Sequence, residues 1–269
     1  MQTPEAITKI VRILPKTLTS IKLYGLSDLH IGTHYYDEKK VNEVIKEILE
    51  NPNAYVLIGG DIVDNTLKNS VGSVYENKYT PREQKKMAVE LLRPIAHKIL
   101  AITPGNHEDR SAKEADSGIL EDIAILLGLE NLYAENAFVL FLKYGRPRKD
   151  SYCTTSIYMK HGSGGGSRVG SKANRLEDLK KEVIADIYIT GHTHQQMIFP
   201  QKIVIADHVN CALIDKVLLF VNSGTFLNWG GYAVKKGFSP IVTGCPTIDL
   251  WYEYKNGRVV KHMKGSIIV

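Results

Sequence analysis

Five short apolar runs of this chain each end in side chains that can hold a cation, and this repetition constrains the fold more than any other feature. The side chains are carboxylates, one amide and imidazoles. In chain order they are Asp28, His30, Asp61, Asp64, Asn106, His107, His161, His192 and His194. Because the carboxyl ends of strands line the ligand crevice of an open α/β sheet, the arrangement predicts that these groups converge in space.

Strand and helix signals alternate in the first half of the chain. Apolar runs predict strands at 21–27, 54–58 and 98–103, and apolar residues at helical spacing predict helices at 38–50, 80–93 and 116–127. The third helix has Gly128 as its predicted C-cap. The segment Thr80-Pro81-Arg82-Glu83 has the form of a capping box with proline at the first helical position, which fixes where the second helix begins.

Strand-like runs dominate the chain after Asn131. The predicted strands lie at 137–142, 154–160, 186–190, 203–207, 217–221 and 247–254, with a loop at 145–151 and a helix at 173–184. This order predicts the α/β class, with sheets packed face to face and helices outside. We predict one domain over residues 1–269, with a core at about 20–225 and a β-rich C-terminal extension at 226–269.

Composition predicts a cytoplasmic globular protein without a membrane anchor. No run approaches the roughly 20 apolar residues that a bilayer crossing needs. Cys153, Cys211 and Cys245 form no CxxC pair, which predicts reduced, buried thiols. The net charge of +5 fits a polyanionic partner such as nucleic acid, and it fits an ordinary cytosolic protein equally well.

The residue types at the strand ends indicate a metal site. Buried Asp and His are energetically costly at this density unless they coordinate a cation. Carboxylate oxygens and imidazole nitrogens without a thiolate favour Mn, Fe, Zn or Ni. Taken singly, His30 and His194 are also compatible with ordinary buried histidines, so it is the repetition that favours metal binding.

The strand-end segments resemble the five ordered signature blocks of calcineurin-like metallophosphoesterases. The segments are Asp28-Leu29-His30, Gly60-Asp61-Ile62-Val63-Asp64, Gly105-Asn106-His107-Glu108, His161-Gly162 and Gly191-His192-Thr193-His194. The resemblance implies a four-layer α/β/β/α sandwich of two mixed sheets flanked by helices. It also implies a binuclear phosphoesterase.

The resemblance implies roles for each strand-end side chain. One cation would be held by Asp28, His30, Asp61 and His194, and the other by Asp61, Asn106, His161 and His192. Asp61 would therefore bridge two divalent transition metal ions, with manganese expected first and Fe, Zn or Ni as alternatives. A hydroxide between the cations would attack phosphorus. His107 would protonate the leaving oxygen, and Asp64 would orient His107.

Several residues keep a second interpretation. Asp64 could instead cap a turn, and Glu108 is either structural or a support behind the ligands. The run from Gly162 to Ser167 is either a flexible connector or a flap over the substrate, with Ser163, Ser167 and Arg168 able to reach a phosphate. The basic residues are either a solvated face or a nucleic-acid track; they are Arg146, Arg148, Lys149, Lys172, Arg175, Lys180 and Lys181.

The substrate prediction rests on one substitution and one segment. Protein phosphatases of this superfamily commonly have arginine where Asn65 stands, so the substitution argues against a dianionic monoester. Ser27-Asp28-Leu29-His30-Ile31-Gly32 resembles the phosphodiesterase branch. We predict a phosphodiesterase that acts on DNA, RNA or a nucleotide, with a phosphomonoesterase or protein phosphatase as the alternative. A non-catalytic metal-binding scaffold is the rival outside the enzymes, and the sequence does not predict the oligomeric state.

Overall fold

The computed structural model of the protein describes residues 6–68, 70, 75, 77–148, 151–166, 168–255 and 258–267, without the side chains at 147, 148, 232 and 258. Eleven strands are present in this part of the chain. They are β1 Thr8–Ile13, β2 Ser20–Leu26, β3 Ala54–Ile58, β4 Ile99–Ile102, β5 Ala137–Arg148, β6 Ser151–Lys160, β7 Ile187–Thr190, β8 Met197–Asp207, β9 Ala212–Asn222, β10 Thr247–Lys255 and β11 Arg258–Ser266.

The helices lie mostly between the strands of the first half. They are α1 Glu38–Glu50, α2 Pro81–Leu92, α3 Glu108–Ala115, α4 Ile119–Leu126, α5 Val169–Asp178 and α6 Gly231–Lys235, with 3-10 turns at Arg93–Lys98, Glu130–Leu132 and Leu179–Lys181. The predicted capping box is confirmed, because the Thr80 side chain accepts from the Glu83 backbone and the Glu83 side chain accepts from the Thr80 backbone. No helix among the described residues is long and apolar enough to cross a membrane.

The strands form two mixed sheets. One has five strands in the order β11-β10-β2-β3-β4, and the other has six in the order β1-β5-β6-β7-β9-β8. β2, β3 and β4 run parallel to one another, as do β6, β7 and β9. Parallel strands end at the same edge of their sheet, so the polar segments that follow them are brought to one edge.

Alternating side chains give the sheets two apolar faces each. Leu23 of β2 and Leu57 of β3 pack between the sheets against residues such as Leu140 and Ile187. On the outer face of the five-stranded sheet, Tyr24, Leu26 and Val56 share a cluster with α1, α2 and α4. Tyr188 and Phe220 stack at 4.8 Å on the outer face of the six-stranded sheet, next to α5. The predicted four-layer sandwich is confirmed.

Some predicted elements differ from the structure. The predicted loop at 145–151 is wrong, because β5 continues to Arg148 and β6 begins at Ser151, with 149–150 outside the described residues. The helix predicted at 173–184 begins earlier, at Val169, and the helix predicted at 116–127 is shorter. Cys211 is exposed, so the prediction of three buried thiols is wrong at that position, whereas Cys153 and Cys245 are buried.

Candidate metal centre

The loops that follow β2, β3, β4, β6 and β7 meet at one edge, and all seven predicted ligands lie in them. Four of these ligands are buried: Asp28, His30, Asp61 and His161. His192 and His194 are half-buried, and Asn106 is exposed at the rim. The edge therefore presents a cleft whose floor is made of carboxylates and imidazoles.

Asp28, His30 and His194 form the first group of donor atoms. Nε2 of His30 lies 3.2 Å from Nε2 of His194, which lies 3.2 Å from Oδ1 of Asp28. Nε2 of His30 is 4.0 Å from that same carboxylate oxygen. The three donor atoms lie within 4.8 Å of one another. Donors that share one cation at about 2.0–2.2 Å lie roughly 3–4 Å apart, so this spacing fits a cation.

Asp61, His161, His192 and Asn106 form the second group. Nε2 of His161 lies 3.1 Å from Oδ2 of Asp61, and Nδ1 of His192 lies 2.7 Å from Oδ1 of Asn106. Oδ2 of Asp61 is also 3.9 Å from Nε2 of His30, which belongs to the first group. Asp61 is therefore placed between the two groups, where a bridging carboxylate would stand.

The hydrogen bonding of His161 leaves one nitrogen for a cation. Nδ1 of His161 lies 2.7 Å from the carbonyl oxygen of Gly59, which can only accept, so Nδ1 carries the proton. Nε2 is buried and points at Oδ2 of Asp61, 3.1 Å away, which is another predicted ligand. A carbonyl oxygen that fixes the tautomer through the other ring nitrogen is typical of imidazoles that bind metals. The residues present therefore fit a metal site.

The backbone at the ligands is held in an uncommon conformation. Eight non-glycine residues of the described chain have positive φ, and five of them are the predicted ligands Asp28, His30, Asp61, His192 and His194. A non-glycine residue with left-handed φ destabilises the chain by about 1–3 kcal/mol, and such strain concentrates at functional sites. The loops are therefore built to aim these side chains inward at the expense of local stability.

Two glycines allow the ligand loops to approach one another. A Cβ at Gly60, whose φ is +83°, would overlap the backbone of Gly105. A Cβ at Gly191 would overlap the side chains of Ser27 and Asp28. The glycines that precede Asp61 and His192 are therefore packing requirements of the site.

The charges of the site balance through protons on imidazoles. Burial raises the pKa of Asp61, but His161 and His107 outweigh burial and hold it well below its usual range. Burial lowers the pKa of His161, whereas the carboxylates of Asp61 and Asp28 raise it, with a net value of about 10. A protonated imidazole thus offsets the carboxylates, and this is the positive charge that a cation would replace.

His107 and Asp64 lie beside the first group of donor atoms. Nδ1 of His107 is 2.7 Å from the carbonyl oxygen of Asp64 and 3.3 Å from its carboxylate. The carbonyl is the nearer partner, so the backbone of Asp64 orients His107 at least as much as its side chain does. The Asp64 carboxylate also lies 3.4 Å from Nδ1 of His30 and accepts from Asn77 at 2.9 Å. Asp64, His30 and His107 form a third set of donors within 4.8 Å.

The pKa values of this pair follow from their contact. Burial raises the pKa of the Asp64 carboxyl, but His107 and His30 lower it by a larger amount. The net pKa therefore lies below its ordinary value. Burial lowers the pKa of His107, but the carboxylates of Asp61 and Asp64 raise it above its ordinary value. The two carboxylates therefore stabilise the protonated form of His107 relative to an isolated imidazole.

The sequence did not identify Arg110, whose guanidinium lies beside His107. Arg110 donates from Nη1 to the carbonyl oxygen of Asp64 at 3.0 Å, and its Nη2 lies 2.9 Å from Nε2 of His107. Arg110 is three residues after His107, a spacing that places both side chains on one face of a helix. If the sequence had predicted a helix that begins at Glu108, this spacing would have indicated that Arg110 lies beside His107.

Glu108 supports the ligand loops from behind. It is 1% exposed, and its carboxylate accepts the backbone N–H groups of Asp61 at 2.8 Å, Ile62 at 2.7 Å, Val63 at 3.2 Å and Gly105 at 2.9 Å. These bonds join the loop after β3 to the loop after β4. Of the two interpretations of Glu108, the support behind the ligands is the one that its contacts favour.

Replacing Glu108 with glutamine is expected to lower the free energy of unfolding by about 2–5 kcal/mol, because the amide nitrogen would face backbone N–H donors. Urea denaturation of the metal-free protein measures this change. Glu114→Gln, on the exposed side of the same helix, is the matched control and is expected to shift stability by less than about 0.5 kcal/mol. A loss at Glu108→Gln no larger than in the control would contradict the supporting role.

Lys172 and Arg175 contact the loops at the second group. Lys172 donates to the carbonyl oxygen of Thr193, between two predicted ligands, at 3.1 Å. Arg175 donates to the carbonyl oxygen of Ser163 at 3.4 Å and lies against Gly164. These two basic side chains border the cleft. Whether Gly162–Gly166 acts as a flap stays a prediction.

The remaining predicted basic residues are placed differently. Lys180 pairs with Glu177 at 2.6 Å and Lys181 with Asp178 at 2.5 Å, so both belong to a solvated face of the α5 region. The side chain of Arg148, together with Lys149 and Ser167, lies outside the described residues.

Comparison with known proteins gives both a family and individual relatives. The profile of the family described as calcineurin-like phosphoesterase matches residues 21–196. The DNA polymerase II small subunit of Methanocaldococcus jannaschii is 24% identical over 280 aligned positions, which cover 91% of this chain and 45% of that protein. An uncharacterized metallophosphoesterase of Helicobacter pylori is 23% identical over 197 positions, which cover 71% of this chain and 49% of that protein.

The relatives and the solved structure differ in how much of their own length this chain covers. The chain spans about half the length of the curated relatives it matches. Among solved structures, Vacuolar Protein Sorting 29 from Cryptosporidium parvum is 18% identical with a TM-score of 0.38, over 92% of this chain and 98% of that chain.

Proposed function

The chain belongs to the calcineurin-like phosphoesterase family, and from that premise we propose that it is a two-metal phosphodiesterase acting on nucleic acid or a nucleotide. The observation that carries the proposal is the position of Asp61. Its Oδ2 lies 3.1 Å from Nε2 of His161 and 3.9 Å from Nε2 of His30, between two groups of donor atoms. A carboxylate in that position can hold two cations together while its charge offsets their repulsion.

Each cation would have four protein donors. Asp28, His30, Asp61 and His194 would hold one, and Asp61, Asn106, His161 and His192 would hold the other, with manganese the first choice for this donor set. When bound, the two cations supply an activated water and polarise the phosphoryl oxygens. The chain contributes the fixed geometry of the donors, because its strained loops and the Glu108 carboxylate hold them in place before a substrate arrives.

His107 is the proton donor in this proposal. Its Nδ1–H is held by the carbonyl oxygen of Asp64 at 2.7 Å, and this bond turns Nε2 toward Oδ2 of Asp61, 3.9 Å away. A proton on Nε2 therefore points into the space where a phosphoryl group would sit. Transfer of that proton to the departing oxygen avoids release of a free alkoxide. Asp64 acts through His107 and is a positioning residue.

The substrate class follows from charge and from a relative. The net charge of +5 and the cations Lys172 and Arg175 at the rim suit a polyanion. The similarity to a DNA polymerase subunit supports a nucleic-acid substrate over a phosphoprotein. The nuclease activity, the cytoplasmic location and the single-domain organisation belong to the same proposal.

Turnover of bis(p-nitrophenyl) phosphate by manganese-loaded protein tests the proposal. We expect hydrolysis that a chelator abolishes and that manganese restores, with about two metal ions bound per chain. Single- and double-stranded DNA and RNA, a cyclic nucleotide and p-nitrophenyl phosphate, each with Mn, Zn, Ni and Mg, then identify the substrate class. Absence of turnover with every diester and monoester, or less than one tightly held metal per chain, would refute it in favour of a binding scaffold.

A further inference from the structure

Position 65 does not face the cleft. Asn65 is fully buried, and its side-chain amide donates to the carbonyl oxygen of His107 at 2.8 Å and to Oγ of Ser111 at 3.1 Å. Its backbone N–H donates to Gln84 at 2.8 Å. The side chain therefore fastens α3 to the loop after β3. Asn65 therefore has a structural role, in addition to leaving this position without a guanidinium.

A guanidinium from α3 lies beside the imidazole of His107. Arg110 is half-buried, and its Nη1 is held by the carbonyl oxygen of Asp64 at 3.0 Å and by Oγ1 of Thr66 at 3.5 Å. These contacts fix the plane of the guanidinium with Nη2 at 2.9 Å from Nε2 of His107. Nε2 is the atom that faces Asp61. Arg110 thus places a permanent positive charge directly beside the proposed proton donor.

The contacts of Arg110 fix its two terminal nitrogens differently. Nη1 is held by two protein oxygens, the carbonyl oxygen of Asp64 and Oγ1 of Thr66, whereas Nη2 lies 2.9 Å from Nε2 of His107. A guanidinium donates hydrogen bonds and accepts none. One phosphoryl oxygen at this end of the imidazole can therefore lie within hydrogen-bond distance of Nη2 and of Nε2.

We propose that Arg110 is a substrate-binding residue that donates from Nη2 to a phosphoryl oxygen while His107 donates to the leaving oxygen. This inference rests on the proposed function, since it assigns a further contact to the same phosphoryl group. A guanidinium binds a dianionic phosphate more strongly than a monoanionic diester. Arg110 therefore determines specificity by extending the site to terminal phosphates and to the phosphate product.

Arg110→Ala is expected to weaken binding of inorganic phosphate to the metal-loaded protein by about 10- to 100-fold, as for loss of a hydrogen bond to a charged group. Isothermal titration calorimetry measures this affinity. Arg110→Lys keeps the positive charge but lacks the planar guanidinium. Its affinity for phosphate is expected to lie between those of Arg110→Ala and the wild type. Lys113→Ala, an exposed cation of the same helix, is the matched control and should bind phosphate like the wild type.

Kinetics provide the second measurement. Arg110→Ala should lower kcat/KM for p-nitrophenyl phosphate more than for bis(p-nitrophenyl) phosphate, and added guanidinium ion should partly restore the loss. Metal content equal to that of the wild type separates this effect from a disturbed site.

The outcomes separate the two proposals. Phosphate affinity that is unchanged in Arg110→Ala, or no measurable phosphate binding by the wild type, overturns the role of Arg110. Binding that depends on Arg110 in a protein without any turnover supports this role and contradicts the proposed hydrolysis. Hydrolysis by the wild type with equal rates in Arg110→Ala overturns only the role of Arg110.

Discussion

Replacing His107 with alanine is expected to lower kcat for a diester with an alkoxide leaving group by about 10²–10⁴-fold, with both cations still bound. The variant removes the imidazole that faces Asp61 at 3.9 Å. It keeps the backbone N–H of residue 107, which donates to Oδ1 of Asp61 at 2.9 Å, so the predicted bridging carboxylate keeps that support. A dinucleotide substrate, assayed with metal content measured in parallel, gives the result.

The leaving group provides the internal control. p-Nitrophenolate departs without a proton, so the same variant should lose far less activity toward bis(p-nitrophenyl) phosphate than toward a dinucleotide. A merely structural role for His107 would lower both rates by the same factor. Equal losses with the two leaving groups, or loss of metal from the variant, would therefore remove His107 from the role of proton donor.

The sequence was sufficient to predict the parts of the site that lie at strand ends. An apolar run followed by glycine and then by Asp, Asn or His places a ligand at a sheet edge, because the strand period and the carboxyl-edge rule are local. The helix α1 was predicted with its observed bounds for the same reason, since Val41, Val44, Ile45 and Ile48 repeat at helical spacing and are buried. Local pattern and tertiary structure agree at these positions.

The supports of the site could not be predicted in this way. α3 has the sequence Glu108 to Ala115 with no apolar face, and its only buried residue is a glutamate that accepts backbone N–H groups from another loop. Hydrophobic periodicity cannot identify such a helix, because the helix has no row of apolar side chains. The contacts of Asn65 and Arg110 depend on where α3 begins, so they were missed along with it.

Two of the four edge strands, β1 and β11, were missed for a related reason. β1 buries only Ile10 fully and pairs in parallel with β5, about 130 residues later in the chain, as the register Thr8↔Phe138 shows. β11 lies at the opposite edge of the other sheet, with charged residues such as Lys261 and Lys264 along it. Few buried side chains in β1 and many charges in β11 weaken the apolar signal that identifies strands such as β4, whose four residues are all buried.

Replacing Asp61 with asparagine is expected to lower metal content from about two ions per chain to one or fewer, and kcat by at least about 10³-fold. The amide is nearly isosteric and keeps an oxygen that can accept from the backbone N–H of His107. The substitution therefore removes the charge shared by the two groups of donor atoms and little else. Metal analysis after dialysis and assay of the diester measure both effects.

Thermal denaturation distinguishes loss of the cations from loss of the fold. A ligand that binds only the folded protein stabilises it, by about 4 kcal/mol at 1,000 times its Kd, so manganese should raise the Tm of the wild type. In Asp61→Asn this rise should be much smaller. The metal-free variant should be less stable than metal-free wild type, because the imidazoles that hold the pKa of Asp61 below its ordinary value stabilise the charged carboxylate; the rise caused by manganese is therefore compared within each protein.

Asp122→Asn, which removes a surface carboxylate that pairs with Lys85 at 2.8 Å, is the charge-matched control and should keep the full response to manganese. If Asp61→Asn binds two cations per chain and manganese raises its Tm by as much as that of the wild type, Asp61 does not bridge the two cations. The 3.1 Å and 3.9 Å contacts of Asp61 with His161 and His30 would then belong to a proton-balanced cluster, because a site for two metals cannot lose its shared ligand without effect.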